Sequence, residues 1–318
     1  MKLEDVNVEK ELKIVFMGTP EFSVPVLEAL IKNYKVKAIV TQPDKINGRN
    51  NKITYSPIKQ VGIDNTILVI QPNNIREEYE QVLALDPDLI ITCAYGQIIP
   101  KQLLEYPRLG CVNVHASLLP KLRGGAPINR AIMEGYSKTG ITIMYMNERM
   151  DAGDIISQEE IEIDDNDTYT TLHDKLKILG RDLLLKTLPD IFSNNINPIK
   201  QNDNEVTFAF NISKEDEKIN FNNDCIKVYN QIRGLSLIPG GYCLYNDKKV
   251  KIYSSTYEIK DVDGEIGEIV DTNKHLGIKV KNGVIYPLTI QLEGKNKMSI
   301  KDFYNGSSNY FKLGDIIK

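Results

Sequence analysis

The sequence predicts an α/β protein whose main part is a doubly wound, mostly parallel sheet, followed by a small C-terminal β-barrel. Two patterns carry that expectation. Over the first two-thirds of the 318 residues, short apolar runs alternate with amphipathic stretches, as in parallel strands covered by crossover helices. The last third instead holds short alternating strands separated by tight-turn dipeptides, which suits a small barrel. The larger part is therefore expected to be Rossmann-like and the smaller OB-like. The expected division is a catalytic domain over 1–194, a linker over 195–206 and a barrel over 207–318.

Each element has its own signal. LKIVFMG (Leu12 to Gly18) reads as a buried first strand, and Thr19-Pro20 offers an N-cap and first-turn proline for a helix to about Lys32. VKAIV (Val36 to Val40) is the second strand, followed by a polar loop, QPDKINGRNNKIT. Ser56-Pro57 opens the next helix in the same way. Further strands are expected at Thr66 to Ile70, Asp88 to Thr92, Gly110 to His115 and Gly140 to Met146, and a long amphipathic helix from Thr168 to Ile191 closes the domain. Ser193 to Asn204 is Asn-rich and polar, as a linker would be. A helix from Asp224 should stop at Gly234, a suitable residue just past a helix end. Asn246-Asp247, Asn282-Gly283 and Glu293-Gly294 mark hairpin turns between the strands that follow.

The bulk composition narrows the function classes. Hydrophobic residues at 42% and charged residues at 26% describe an ordinary globular chain. No apolar run approaches the roughly 18 residues that span a bilayer, and the acidic start MKLEDVNVEKE is unlike a signal peptide. Cys93, Cys111, Cys225 and Cys243 lack zinc-ligand spacing, so no structural metal is expected, and Cys93 and Cys111, inside apolar strand-like runs, read as buried reduced thiols. Together these imply a soluble protein of the cytoplasm. A net charge of -4 argues against strong non-specific nucleic-acid binding. The charge is uneven, however: residues 207–318 hold 16 Lys+Arg against 14 Asp+Glu, about +2, leaving about -6 for the rest.

The chemistry concentrates in GCVNVHASLLPKLRGGAPINR, Gly110 to Arg130. Residues two apart in a strand share a face, so Asn113 and His115 project together, about 7 Å apart, at the carboxyl end of a strand. Ligands of open α/β sheets bind at that end. Taken as a bare pattern, the same pair is better explained by hydrogen bonds to a loop. Gly18 follows a first strand, but without GxGxxG or a matching acidic residue it does not point to a dinucleotide. His173 and His275 read as structural or surface residues.

Asn113, His115 and Ser117-Leu118-Leu119-Pro120, with Asp151-Ala152-Gly153-Asp154 downstream, resemble the formyltransferase family that uses 10-formyltetrahydrofolate. GTPEFSVPVLEAL, TQPDKINGR, AYGQIIP, RGGAPINRAI, TGITIMYM and ISKEDEKINF resemble the branch of that family whose acceptor is methionyl-tRNA, and they cover nearly the whole chain. The resemblance implies formyl transfer to the free amine of initiator methionyl-tRNA by a monomer. Asn113 and His115 would donate hydrogen bonds to the oxygen that turns negative as the amine attacks, each lowering the barrier by about 3 kcal/mol. Asp151 would orient His115 and help manage protons, although on its own it reads as a turn residue. The implied folate pocket takes in Cys93, Ala94, Tyr95, Gly96, Ser117, Leu118, Leu119, Pro120 and Asp154. Arg49 and Lys52, in the polar loop, would meet tRNA, and Lys248, Lys249 and Lys251 would line a basic track with Lys295, Lys297 and Lys301.

Two departures from the family pattern bear on the tRNA side. The loop reads GRNNK where relatives are often more basic. SLIPGGY stands where they carry a PWP-like string, and the chain has no tryptophan. The alternative acceptors are an amino-sugar nucleotide or glycinamide ribonucleotide, and a hydrolase acting on formyltetrahydrofolate would need only water in the acceptor's place. A non-catalytic RNA-binding protein would not need the intact Asn113, His115 and Asp151.

Overall fold

A computed structural model describes residues 12–47, 52–307 and 309–318. Arg49 lies outside the described residues. In chain order the elements begin with β1 (Ile14–Gly18), α1 (Val24–Asn33), β2 (Val36–Val40), β3 (Lys45–Asn47), β4 (Lys52–Thr54), α2 (Pro57–Asp64) and β5 (Leu68–Ile70). After two single-turn helices come β6 (Leu89–Cys93), α3 (Lys101–Glu105), β7 (Cys111–His115), α4 (Pro127–Met133), β8 (Lys138–Tyr145), β9 (Ile155–Glu162) and α5 (Tyr169–Phe192). The remaining elements are α6 (Lys214–Glu217), α7 (Cys225–Gly234), β10 (Gly241–Tyr245), β11 (Lys248–Ile259), β12 (Ile269–Asp271), β13 (Gly277–Val280), β14 (Gly283–Leu292), β15 (Met298–Ser299) and α8 (Ile300–Ser307).

Two compact units interleave along this chain. One takes in the chain up to Gly124, Thr139–Ile161 and His173–Phe208; the other takes in Gly125–Lys138, Glu162–Leu172 and Ala209–Lys318.

The first unit is built on a seven-stranded sheet in the order β5-β2-β1-β6-β7-β8-β9. β1 pairs parallel with β2 and β6, β6 with β7, and β2 with β5, while β7 and β8 run antiparallel. Every residue of β1 (IVFMG) and β6 (LIITC) is buried, as expected of central strands covered on both faces. The mostly parallel, Rossmann-like sheet is thus present, with an antiparallel addition at one side.

Three local expectations for this unit need correction. Thr19-Pro20 does not start α1. A 3-10 turn at Glu21–Ser23 comes first, with Pro25 in the helix's opening turn, and the Thr19 hydroxyl instead donates to the Tyr95 carbonyl at 2.9 Å. The loop after β2 holds a short antiparallel ladder, β3 with β4, in which Lys45 faces Thr54. β9 went unforeseen because SQEEIE is acidic and largely exposed, a composition that suits an edge strand but lowers strand propensity.

In the second unit, α7 begins where Asp224 accepts from the Lys227 N–H at 3.0 Å. Gly234 is the last helical residue rather than a left-handed residue past the end. A Cβ there would meet Met133 Cγ at 2.6 Å, and its carbonyl accepts from Asn129 Nδ2 at 2.8 Å. The glycine lets α7 lie close against α4. The sheet runs β10-β11-β14-β13-β12, with β15 on β14. The β13–β14 turn falls on Lys281-Asn282, one residue before the expected dipeptide, since Val280 faces Gly283. Asn246 and Asp247 both adopt positive φ, as the β10–β11 hairpin requires. The last residues close the sheet: Leu244 and Lys318 exchange backbone hydrogen bonds at 2.6 and 2.9 Å, while Ile317 N–H donates to Gly267 and Ile269 N–H to Asp315. Inside lies one apolar cluster that includes Tyr245, Ile252, Val280, Ile285, Phe303 and Phe311. Among the described residues no helix is long and apolar enough to cross a membrane.

Candidate active site

The carboxyl ends of β1, β6 and β7 form one edge of the sheet, and most residues singled out in the sequence gather there. Thr92 and Asn113 are register partners on β6 and β7. The Thr92 hydroxyl donates to Asn113 Oδ1 at 2.8 Å. With its oxygen turned to Thr92, the Asn113 amide presents its nitrogen, a donor, on the other side. His115, two residues on, is buried, and its Nε2 lies 3.2 Å from the Leu122 carbonyl. An N–H on Nε2 donates to that carbonyl, which leaves Nδ1 to accept in the neutral ring.

Asp151 meets His115 from the β8–β9 turn. Its Oδ1 lies 3.7 Å from His115 Nδ1, beyond hydrogen-bond length but close enough for strong attraction once the ring is protonated. Both side chains are largely removed from water, at 7% and 16% exposure, so screening between them is weak. The other carboxylate oxygen, Oδ2, accepts from the Gly124 N–H at 2.8 Å. Asp151 has φ 48°, a left-handed conformation uncommon outside glycine and asparagine-like residues.

The predicted folate residues flank this pair. Cys93 ends β6, fully buried, and burial pushes its thiol up to about 12, so it stays a neutral packing group. The chain then turns through Ala94 at φ 49° and Gly96 at φ 90°, both exposed. Tyr95 is buried between them, and its carbonyl accepts from Thr19 Oγ1 and from Gln42 Nε2 at 3.2 Å. Ser117 is not free to meet a ligand: its buried hydroxyl donates to the Lys121 carbonyl at 2.7 Å. Leu118 and Pro120 are half-buried, and Leu119 packs with Met144 and Ile155. Leu119-Pro120 is a cis peptide. Thr142 fastens this loop, donating to the Ser117 carbonyl at 2.6 Å and accepting from Leu119 N–H at 3.1 Å. Asp154 is half-buried, and its carbonyl accepts from Tyr145 N–H at 2.9 Å.

Of the predicted tRNA residues, Arg49 lies outside the described residues. Lys52 begins β4. Lys248, Lys249 and Lys251 lie on β11 in the second unit: Lys248 is exposed, Lys249 Nζ sits 3.9 Å from the Tyr242 ring centre, and Lys251 Nζ donates to the Pro239 carbonyl. Lys297 is likewise over Tyr253, at 4.1 Å. Thr92, Gly124, Thr142 and Gln201 were not singled out in the sequence. All four act through hydrogen bonds set by the tertiary fold: Thr92 to Asn113, the Gly124 N–H to the Asp151 carboxylate, Thr142 to the Ser117 and Leu119 main chain, and Gln201 to Arg123 and the Asp151 and Gly153 carbonyls.

A model of the formyl transferase domain matches residues 12–188, and one of the formyl transferase C-terminal domain matches 211–308. The chain belongs to the formyl transferase family. It is 48% identical over 303 residues to the methionyl-tRNA formyltransferase of Bacillus pumilus, covering 93% of this chain and 95% of that one. It is also 48% identical over 298 residues to the methionyl-tRNA formyltransferase of Listeria monocytogenes, covering 93% and 96%. The crystal structure of an N-formyltransferase from Helicobacter canadensis, in complex with folinic acid and dTDP-3-aminofucose, superposes with a TM-score of 0.65 over 87% of this chain and 98% of that one. At 24% identity that likeness concerns the fold.

Proposed function

We propose that this protein transfers the formyl group of 10-formyltetrahydrofolate to the free amino group of initiator methionyl-tRNA, giving the N-formylmethionyl-tRNA that starts translation. The observation that carries this reading is the 48% identity, over nearly the whole chain, to proteins named methionyl-tRNA formyltransferases. The site supports it chemically. Attack of the amine on the formyl carbon forms a C–N bond and leaves negative charge on the formyl oxygen. The Asn113 amide, oriented by Thr92, donates to that oxygen, and His115 helps hold the developing charge. Asp151 orients the ring of His115 and takes part in removing the amine's proton. Collapse then breaks the bond to the folate nitrogen, which leaves carrying a proton.

On this reading the exposed Ala94-to-Gly96 turn and the Ser117-to-Pro120 loop bind the folate, chiefly through main-chain groups, with Asp154 nearby. Residues 1–194 carry catalysis, 195–206 connect, and the barrel over 207–318 holds the tRNA through Lys248, Lys249 and Lys251. Arg49 and Lys52 contact the acceptor end. The enzyme is a cytoplasmic monomer that needs no metal. The test is release of tetrahydrofolate: purified protein given 10-formyltetrahydrofolate should release it only when methionyl-tRNA is added. Equal release without tRNA would indicate a hydrolase instead.

A further inference from the structure

Gln201 lies in a segment expected only to connect, yet it is tied into the catalytic turn. Its side-chain Nε2 donates to the carbonyls of Asp151 and Gly153, each at 2.8 Å. Its Oε1 accepts from Arg123 Nε and Nη2 at 3.0 and 2.7 Å. Only one orientation of the amide satisfies both sides, since its oxygen faces a guanidinium and its nitrogen two carbonyls. Arg123 is buried at 3% exposure, with Asp203 Oδ1 3.4 Å from Nη2 to answer its charge.

The same segment holds the loop opposite. Thr207 accepts from Leu122 N–H through its hydroxyl at 2.9 Å and from Arg123 N–H through its carbonyl at 2.9 Å. Ile199 exchanges backbone hydrogen bonds with Ile155 at 2.8 Å. Residues 199–207 thus clamp both the turn that carries Asp151 and the loop whose Leu122 carbonyl meets His115. Asp151 sits at φ 48°, which costs energy for a non-glycine residue and persists only where surrounding contacts enforce it.

We infer that Gln201, locked by Arg123, is a positioning residue that sets Asp151 against His115. The inference rests on the catalytic reading of Asp151 given above. Gln201→Glu is the informative change, because it keeps an acceptor for Arg123 but turns a carboxylate oxygen onto the two carbonyls. Gln201→Met removes both interactions at similar size, should the charge prevent folding.

A displacement near 1 Å lowers turnover on the order of 100-fold, so either variant should lose about that much kcat with little change in folate KM. Combined with Asp151→Asn, either should be no slower than Asp151→Asn alone, since Gln201 acts through Asp151. Amide hydrogen exchange over residues 149–155 should quicken in both variants, a measurement that needs no substrate. Unchanged exchange, wild-type kcat, or losses that add to those of Asp151→Asn would each overturn the inference. Absence of transfer by the wild-type chain would instead refute the proposed reaction, and the exchange result separates the two failures.

Discussion

Gly153→Ala should disable the catalytic turn by a displacement that can be worked out in advance. Gly153 lies two residues after Asp151, and its φ is outside the left-handed region, so space rather than backbone conformation is what demands glycine. A Cβ there would sit 1.8 Å from the Tyr145 carbonyl oxygen and 2.8 Å from its carbon. Tyr145 ends β8, and the Met146 N–H of the same peptide unit donates to the Cys111 carbonyl at 2.8 Å, which resists rotation of the Tyr145 carbonyl. To go from 1.8 Å to an ordinary contact of 3.4 Å the turn must retreat by about 1.6 Å. That exceeds the ~1 Å misplacement that typically costs about 100-fold in rate. Crowding of this kind also destabilises by about 1–3 kcal/mol. Single-turnover transfer at saturating substrate reads the chemical step apart from release, and thermal unfolding reads the fold. Gly306→Ala, where a Cβ meets nothing within 4 Å, serves as the control. A Gly153→Ala rate within about twofold of wild type would refute the claim that Asp151 must be held in place.

Other outcomes follow from the site geometry and from the proposed reaction. His115→Ala should remove most transfer while leaving the melting temperature near wild type; a near-normal rate would take His115 out of the mechanism. Asn113→Ala should lower kcat by about 100- to 1000-fold, the cost of one oxyanion donor. Thr92→Val, which keeps the Asn113 amide but removes the hydroxyl that orients it, should cost less, and kcat for the two variants side by side checks that order. Arg49→Ala should weaken transfer to tRNA while folate binding, followed by fluorescence titration, is kept. Burial raises the Cys93 thiol from 9.0 to about 12, so its contribution to stability is whole below pH 9 and is lost as pH climbs towards 12. Urea midpoints should fall across that range, and less steeply in Cys93→Ala.

What could be read in advance depended on whether a residue's role was written in local pattern. β1 and β6 are continuous apolar runs and were legible as buried parallel strands. The i, i+2 spacing of Asn113 and His115 at a strand end was legible too. Asp151 was legible only through the family resemblance and read as a turn residue by itself, because its approach to His115 depends on a turn whose conformation is set from outside. Gln201 looked like one polar residue among many in an Asn-rich stretch, and its partners are 48 to 78 positions away. Gly234 was misread for a related reason. A glycine near a helix end has two possible causes, a left-handed turn or a close neighbour, and only tertiary packing against Met133 selects the second. Ser117 shows the reverse: it belongs to a recognisable string, yet its hydroxyl is spent on the Lys121 carbonyl.

The most direct test of the central claim is an acceptor competition. Purified protein and labelled 10-formyltetrahydrofolate are mixed with methionine-charged initiator tRNA, glycinamide ribonucleotide and an amino-sugar nucleotide together, and the labelled product is identified. The account predicts formyl-methionyl-tRNA as the dominant product, and its loss in Asn113→Ala and His115→Ala. Label appearing on the nucleotide acceptors while the charged tRNA stays unformylated would contradict it.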